Sequence, residues 1–394
     1  MSAVVAAAPR RLALDRLGIL IAGLAVIAAC LPLAAFRANR IVAAEGKTIL
    51  SALPGWEAGL LVLVLAAGIG VALFRTAAPW RLAAGFAVLA LLCIAVGRAA
   101  TYLTPAGDKL ARVSPGAGFW LLLLAFALLA ADGMSRLRLG PWCRVAALAG
   151  VAAGLSLLLL CGLWRDLSIL REYANRADSF WREAATHAAL ALGSLAAATL
   201  AGIPAGIACH RHPGLRSVAL NVLNAVQTIP SIALFGLLIA PLAWVAANVP
   251  GAAALGVSGI GAAPAMVALF AYSLLPVVAN TVAGLDAVPA AADEAARGMG
   301  MTDRQRLVTV QLPLAFPVIL AGIRIVLVQN IGLATVAALI GGGGFGVFVF
   351  QGIGQTAMDL VLLGAAPTVA LAFAAAVVLD AAVELSSGWR GRRD

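Results

Sequence analysis

The residues of this chain best placed to act as a site form a polar segment, 294–313, between two long apolar runs. Pro289 is placed to begin a first short helix, predicted at 290–297, which runs into this segment. The glycines within 298–300 are expected to break that helix. Thr302 and Gln305 have the spacing of a capping box, so a second short helix is predicted from Asp303 to about residue 311. A proline at 313 is expected to end this second helix. A helix–turn–helix with a small alanine face can dock into a groove of a partner protein and pass a movement of that partner on to the membrane helices. The segment is therefore predicted to act by binding and not by catalysis.

Other reactive side chains are scattered. The five cysteines contain no CxxC pair, so neither a zinc site nor a disulfide framework is predicted. His210 and His212 lie beside arginines and are interpreted as solvated loop residues, while His187 stands alone. We therefore expect no catalytic residues, no metal site and no cofactor.

Composition places most of the chain in a membrane. Of the 394 residues, 63% are hydrophobic and 11% charged, whereas a soluble domain carries about 25% charged residues. The mean hydropathy is +1.03. The net charge of +10 fits Lys and Arg gathered in cytoplasmic loops, and no basic stripe with interleaved aromatics points to nucleic acid. Membrane lipid is therefore the expected surrounding, and nucleic acid is not an expected partner.

The apolar runs predict an all-α, polytopic membrane protein, because backbone groups in lipid must be bonded within their own segment. The first run is about 20 residues long, which favours a retained helix over a signal peptide. Ten spans are predicted: 17–36, 58–74, 80–97, 118–131, 145–164, 184–208, 217–243, 264–284, 315–340 and 359–384.

Loop charge predicts the orientation. With both termini in the cytoplasm, sixteen of the 27 Lys and Arg lie in inner loops and ten in outer loops. The predicted organisation is an N-terminal accessory region of five helices (1–165), a charged periplasmic connector (166–183), a five-helix domain (184–385) with a cytoplasmic loop at 285–313, and a basic tail (386–394).

The polar segment also resembles a known motif. Permeases of bacterial ABC importers carry Glu-Ala-Ala, three residues, Gly, nine residues, Ile, one residue, Leu-Pro. A second Glu-Ala-Ala at 183–185 lacks the Gly and Pro in register, so the spacing, not the triplet, carries the signal. In this resemblance the ATPase-coupling residues are Glu294, Ala295, Ala296, Gly300, Val310, Leu312 and Pro313, with only Val310 departing from the pattern.

Three further segments, 221–234, 321–324 and 330–346, resemble osmoprotectant permeases for glycine betaine, choline and carnitine. The resemblance covers about residues 175–390, and the N-terminal helices match only long members of that family. It implies a C-terminal MetI-like permease domain in a bacterial inner membrane. It also implies separate ATPase subunits, a periplasmic substrate-binding protein, and a second permease copy or a related permease.

Polar groups within spans are costly and often functional, so they are candidates for the transport pathway or its gate. Hydrogen bonding between helices is the competing interpretation. Arg324 is expected to snorkel to the interface or to pair with Asp286 or Asp359. The glycine run 341–346 lacks a GK[ST] motif and is expected to be a turn or gate. The pathway candidates are Asn224, Gln227, Thr228, Pro230, Asn330 and Thr335.

Two other classes stay open. An ion-coupled secondary transporter would use buried acids in mid-membrane, and only Asp380 and Glu384 come close. A membrane enzyme would need clustered His, Asp or Cys. Within the importer reading, no aromatic box for a quaternary ammonium is visible, which fits recognition by a separate binding protein and equally fits an amino-acid-like substrate.

Overall fold

The computed structural model describes residues 13–39, 42–105, 107–108 and 110–388. These residues confirm the all-α expectation and add one small three-stranded sheet that the sequence did not reveal. The chain divides into two compact units, one of residues 1–140 and 150–171, the other of residues 141–149 and 172–394. The predicted basic tail lies outside the described residues from position 389 onward.

The first part of the chain contains six helices and the small sheet. The three strands, β1 (Ala34–Arg37), β2 (Glu45–Lys47) and β3 (Arg112–Pro115), pair antiparallel in the order β2-β1-β3, with Ala35 opposite Gly46 on one side and Ser114 on the other. The hydrophobic core of this part is built from buried residues of the first five helices together with Leu33, Ala34 and Val113 at the sheet. The elements are α1 Arg16–Cys30, β1 Ala34–Arg37, β2 Glu45–Lys47, α2 Ile49–Ala52, α3 Gly55–Leu73, α4 Ala78–Leu103, β3 Arg112–Pro115, α5 Ala117–Leu137 and α6 Pro141–Leu160.

The second part holds eleven further helices, with a π-helical segment at Leu307–Gln311 and a 3-10 helix at Val336–Ile340. Helices α8, α12 and α15 pack closely because glycines remove side chains at their crossings: a Cβ on Gly206 would lie 2.6 Å from Thr281 Cβ. The helices are α7 Ser168–Asn175, α8 Ala177–Arg211, α9 Pro213–Thr228, α10 Ser231–Leu237, α11 Ile239–Asn248, α12 Ala262–Asp286, α13 Ala290–Gly298, α14 Asp303–Arg306, α15 Leu312–Ala334, α16 Gly346–Gly354 and α17 Met358–Ser386.

Nine stretches of helix in the described part of the chain are long and apolar enough to cross a bilayer, and α1 is a shorter apolar helix. Two predicted spans are wrong in extent. The span 17–36 ends as a helix at Cys30, because Pro32 forces Leu31 into extended backbone before β1. The span 217–243 breaks at Pro230, where Ile229 is extended for the same reason, and the membrane-length stretch is instead Ser231–Asn248.

A buried charge cluster closes one end of the first unit. The Arg81 side chain is fully buried, and its Nε donates to Asp132 Oδ2 at 2.6 Å. Its Nη1 donates to the carbonyls of Ala72 and Phe74, at the end of α3. Arg136 bridges Asp132 and the N-cap residue of α1, Asp15. Two arginines and two aspartates thus tie α1, α3, α4 and α5 together with balanced charge.

Candidate functional site

The first helix of the polar loop forms as predicted. Pro289 precedes α13, and the helix stops at Gly298. Gly300 has a φ of +78°, the left-handed conformation that glycine adopts without strain. The Met301 amide donates to the Ala296 carbonyl and the Gly300 amide to the Arg297 carbonyl, the two bonds of a Schellman motif. Gly300 therefore sets the turn between the loop helices through its backbone.

The second loop helix begins as predicted and ends differently. The Thr302–Gln305 capping box is present in full. Beyond Arg306 the chain passes through the π-helical segment straight into α15, so Pro313 does not end the helix. Proline lacks an amide hydrogen, and the wider π turn places Pro313 in the first turn of α15, where no amide is required. The loop is consequently continuous with a membrane-length helix.

Asp293 fastens the two loop helices together. Its carboxylate accepts hydrogen bonds from Arg306 Nε at 3.0 Å and Nη2 at 3.1 Å, and from Gln311 Nε2 at 2.7 Å. The bond from Gln311, followed by the bonds and charge of Arg306, lowers the pKa of Asp293 against the opposing effect of burial. Sequence reasoning missed this residue, although an acid beside the Glu-Ala-Ala triplet and an arginine thirteen residues later were both visible.

The predicted coupling residues divide into an outer and an inner set. Glu294, Ala295, Gly300 and Pro313 are exposed, and the Glu294 carboxylate accepts no hydrogen bond from the described residues. The inner set packs under the loop: Ala296 is buried, Val310 and Leu312 are partly buried, and Leu312 contacts the cluster of Leu285, Ala315 and Ile319. The loop thus presents one small, exposed face on a packed base.

The base of the loop also engages α8 and α9. Asp286, the last residue of α12, accepts from Arg216 Nη1 at 2.9 Å and lies 2.8 Å from His210 Nδ1. His210 lies in the last turn of α8, so the solvated-loop interpretation of this histidine is wrong. Asp286 is the partner of these two groups, and the predicted Arg324–Asp286 pair does not form.

Arg324 pairs instead with Asp380 of α17. Asp380 also accepts from Arg144 Nη1 at 2.5 Å, and Arg144 in turn contacts Glu384. These four charges balance. The expected pairing with Asp359 is likewise wrong, and the choice of acid depended on which helix packs beside α15.

The first group of pathway candidates lies where α9 meets α10. Asn224 and Pro230 are exposed, and Thr228 Oγ1 donates to the Ala225 carbonyl at 2.7 Å. Gln227 Nε2 donates to the Tyr272 carbonyl at 2.8 Å, while the Tyr272 hydroxyl donates to the Ile229 carbonyl. Tyr272 thus ties the break at Pro230 to α12.

Asn330 and Thr335 lie far from that group along the chain. Asn330 is fully buried, and its amide donates to Ser194 Oγ at 2.8 Å and Ser273 Oγ at 2.9 Å, which joins α15 to α8 and α12. Thr335 caps the end of α15 and is partly buried. The structure therefore gives Asn330 a helix-joining hydrogen-bond network, and a pathway role for either residue stays a prediction.

Comparison with known proteins matches two families along the chain. Residues 15–170 match "ABC transporter permease YehY, N-terminal domain", and residues 198–388 match "Binding-protein-dependent transport system inner membrane component". The osmoprotectant import permease protein OsmW of Salmonella typhimurium is 43% identical over 49% of this chain and 81% of its own length.

The chain belongs to the osmoprotectant permeases of ABC importers.

Another relative of this permease is also named as a transport permease. The carnitine transport permease protein OpuCB of Listeria monocytogenes is 37% identical over 47% of the permease and 78% of the relative. Among solved structures, the inward-facing MetNI methionine ABC transporter matches with a TM-score of 0.47 and 24% identity, over 54% of the permease and 98% of the matched chain. Membership of the family, and not this structural match, makes the chain a multi-pass transport subunit, and in this family ATP hydrolysis belongs to a partner subunit.

No group of three or more His, Cys, Asp or Glu that could hold a metal ion occurs in the described part of the permease. The polar features of the loop are hydrogen-bonded staples and caps, and they offer no open coordination sphere. The loop presents its exposed face to another molecule, and it is continuous with α15.

Two glycines of the loop provide a matched test of the turn. Gly300→Ala is expected to destabilise the loop by about 1–2 kcal/mol, because a Cβ strains the left-handed conformation. Gly298→Ala is expected to leave the loop intact or to stabilise it, because Gly298 is helical and a Cβ there meets no atom within 4 Å. Proteolysis of the loop in detergent-solubilised permease measures both; equal cleavage of the two variants would contradict the assignment.

Proposed function

We propose that this chain is the membrane-spanning subunit of an ATP-driven importer for a small quaternary-amine osmoprotectant such as glycine betaine, and that it is driven through the 294–313 loop. The observation that carries the coupling role is the loop's construction: an exposed Glu294–Ala295 face on a stapled helix pair that runs without a break into α15. A push on that face would reach α15 through Asp293, because its carboxylate joins α13 to Arg306 and Gln311, which lie in the helical stretch that continues into α15.

The relatives' names support the substrate class. They are named for import of osmoprotectants, carnitine, choline and glycine betaine. Among the described residues of the second unit, five pairs of contacting aromatic rings lie around Phe180 and Phe345, outside the predicted pathway residues. This arrangement fits a substrate that is captured by a periplasmic binding protein and then passes through the permease with only weak binding to it. An amino-acid-like substrate is the alternative within the same mechanism.

The charge pairs of the second unit disfavour ion-gradient coupling. A secondary transporter needs an acid that can gain and lose a proton or cation during transport. Asp380 and Glu384, the acids that the sequence put forward for that role, are both engaged by arginines. ATP hydrolysis by a partner subunit is therefore the better energy source.

Further partners and the orientation belong to the same proposal. The importer is expected to contain two ATPase subunits, a substrate-binding protein and two permease subunits, either two copies or one copy with a related chain. The nine long helical stretches plus α1 would make ten crossings, an even number that would put both termini on one side of the membrane. The excess of Lys and Arg in the loops on that side supports the cytoplasm for the termini and the coupling loop. The domain organisation proposed above, with an accessory region before residue 166, fits the two separate family matches.

Reversal of charge at Glu294 tests the coupling face. Glu294→Arg is expected to weaken ATPase retention by roughly thirtyfold, the effect of losing an interface hot spot of about 2 kcal/mol. The measurement is co-purification of an ATPase with tagged permease from mild detergent, together with osmoprotectant uptake in cells. Asp178→Arg, which alters an exposed acid at the start of α8, is the matched control. Retention and uptake equal to the control would show that this face does not bind the ATPase.

A further inference from the structure

The turn that follows α15 is built from glycines that no other residue could replace without strain. The chain leaves α15 at Ala334, makes the 3-10 helix and turns back at 341–346. Gly341, Gly343 and Gly344 all have φ between +76° and +84°. A Cβ on Gly346 would lie 1.8 Å from the Thr335 carbonyl oxygen. The turn is therefore both tightly packed and able to change conformation at successive glycines.

One side chain from α8 holds this turn. Glu183 Oε2 accepts a hydrogen bond from the Gly344 amide at 2.7 Å, across 161 residues of sequence. The Glu183 side chain is 14% exposed, and Arg182, which is well exposed, forms an ion pair with it at 3.7 Å. A carboxylate bonded to a backbone amide is a strong, charge-assisted contact that becomes stronger away from water. This glutamate was the one set aside in the sequence because its Glu-Ala-Ala triplet lacks the coupling spacing.

The same end of α8 packs against the residues that follow the turn. His187, one helical turn after Glu183, is fully buried with its ring centroid 5.0 Å from that of Phe345. Phe180 packs on Phe345 and Phe348 at 5.3 and 6.2 Å. The apolar contacts hold the start of α16, and the Glu183–Gly344 bond holds the glycine turn just before it.

This contact lies at the far end of the helix that the coupling loop would move. Helix α15 runs for 23 residues, about 35 Å at 1.5 Å per residue. Its first turn continues from the loop, and its last turn leads into the glycine turn. A shift of α15 along or about its axis must therefore be taken up at 341–346, where Glu183 resists it.

We propose that Glu183 is a positioning residue that latches the glycine turn 341–346 in the resting state, and that movement of α15 releases it during the transport cycle. The inference rests on the proposed coupling role of the 294–313 loop. A carboxylate–amide bond suits a latch, because it is strong enough to hold one state and its two partners can each be rehydrated when they separate. The latch restrains ATP use when no loaded binding protein is present.

Amide hydrogen exchange of the permease–ATPase complex tests the latch. Exchange at 341–346 is expected to be about tenfold faster in Glu183→Ala than in the unmodified chain, since one charge-assisted hydrogen bond is lost. Glu183→Gln, which keeps an acceptor oxygen, is expected to fall between them. The matched control is Asp178→Ala, an exposed acid on the same helix. Exchange in Glu183→Ala equal to this control would show that the carboxylate does not hold the turn.

A nucleotide arm separates a latch from a fixed structural contact. Adding a non-hydrolysable ATP analogue to the unmodified complex is expected to speed exchange at 341–346, and Glu183→Ala is expected to raise ATPase activity without substrate several-fold. If the complex transports substrate but nucleotide leaves this exchange unchanged, the latch is wrong and the proposed function stands. If no ATPase co-purifies with the unmodified chain, the proposed function fails, and the latch fails with it.

Discussion

Asp293→Ala is expected to abolish most transport while the chain still inserts and folds. The substitution removes the shared acceptor of Arg306 and Gln311, so α13 is no longer fastened to the segment leading into α15. Movement of the Glu294 face is then absorbed within the loop. We expect osmoprotectant uptake to fall about tenfold or more, in line with the loss of several charge-assisted bonds. Uptake by cells expressing the variant, normalised to membrane-inserted protein, gives the measurement.

Asp303→Ala is the matched control for this prediction. Asp303 also accepts from Arg306, at 3.1 Å, but its side chain is 85% exposed. Solvent screens such a surface pair, so its loss is expected to have little effect on uptake. Equal losses in both variants would mean that the loop is sensitive to any change near Arg306, and the staple would not be the cause.

The loop should also loosen in acid. The bonds from Gln311 and Arg306 lower the pKa of Asp293 below its ordinary value of 3.8. A carboxyl whose pKa is lower in the folded state stabilises the fold fully above the unfolded pKa, and the contribution is lost as pH falls through the folded pKa. Loop proteolysis should therefore be constant near neutral pH and rise below about pH 4, and Asp293→Asn should remove this acid-dependent rise.

Arg81→Met is expected to destabilise the first unit more than any exposed charge substitution. It leaves Asp132 and Asp15 facing a single arginine, and it frees the carbonyls of Ala72 and Phe74. Removing one partner of a buried ion pair costs about 3–5 kcal/mol. A loss of roughly 10 °C in the midpoint of thermal aggregation is expected in mild detergent, with much less protein recovered from membranes.

Two companion variants make the Arg81 prediction specific. Arg98→Met breaks the Arg98–Glu57 pair, in which the arginine is 47% exposed, and such a pair is worth at most about 1 kcal/mol. Arg81→Lys keeps the charge but cannot reproduce all the guanidinium bonds, so its midpoint should lie between those of Arg81→Met and the unmodified chain. A midpoint for Arg81→Met no lower than that for Arg98→Met would contradict a structural role for the buried cluster.

The parts of the site that sequence reasoning predicted correctly depend on near neighbours. The capping box of Thr302 and Gln305, and the start of α13 after Pro289, are set by backbone bonds within one helical turn. The predicted end of the second loop helix was wrong because Pro313 was expected to terminate it. Whether a proline stops a helix or begins its next turn depends on the hydrogen-bond pattern before it, and here a π-helical segment intervenes.

Partners distant in sequence could not be chosen from spacing. For Arg324 the sequence suggested two acids, Asp286 and Asp359, and the structure pairs it with a third, Asp380. The sequence left two predictions open for Asn330, a place in the transport pathway or a hydrogen bond between helices. Its two serine partners, Ser194 and Ser273, lie on α8 and α12, and the packing of those helices could not be derived from the sequence. In each case the side chain's own helix was predictable, whereas the neighbouring helix and its rotation were not.

The sequence by itself determined the membrane-spanning class, the helical backbone and the position of the polar loop, because hydropathy and local capping depend on residues close together in the chain. Tertiary structure decided which partner each charged group meets: Arg81 pairs with Asp132, Asp293 pairs with Arg306, and the Glu183 carboxylate accepts from the Gly344 amide. A buried charge pairs with whatever the packed helices bring within about 3 Å. That choice is made by close helix crossings at small residues, which the order of residues along one helix does not reveal.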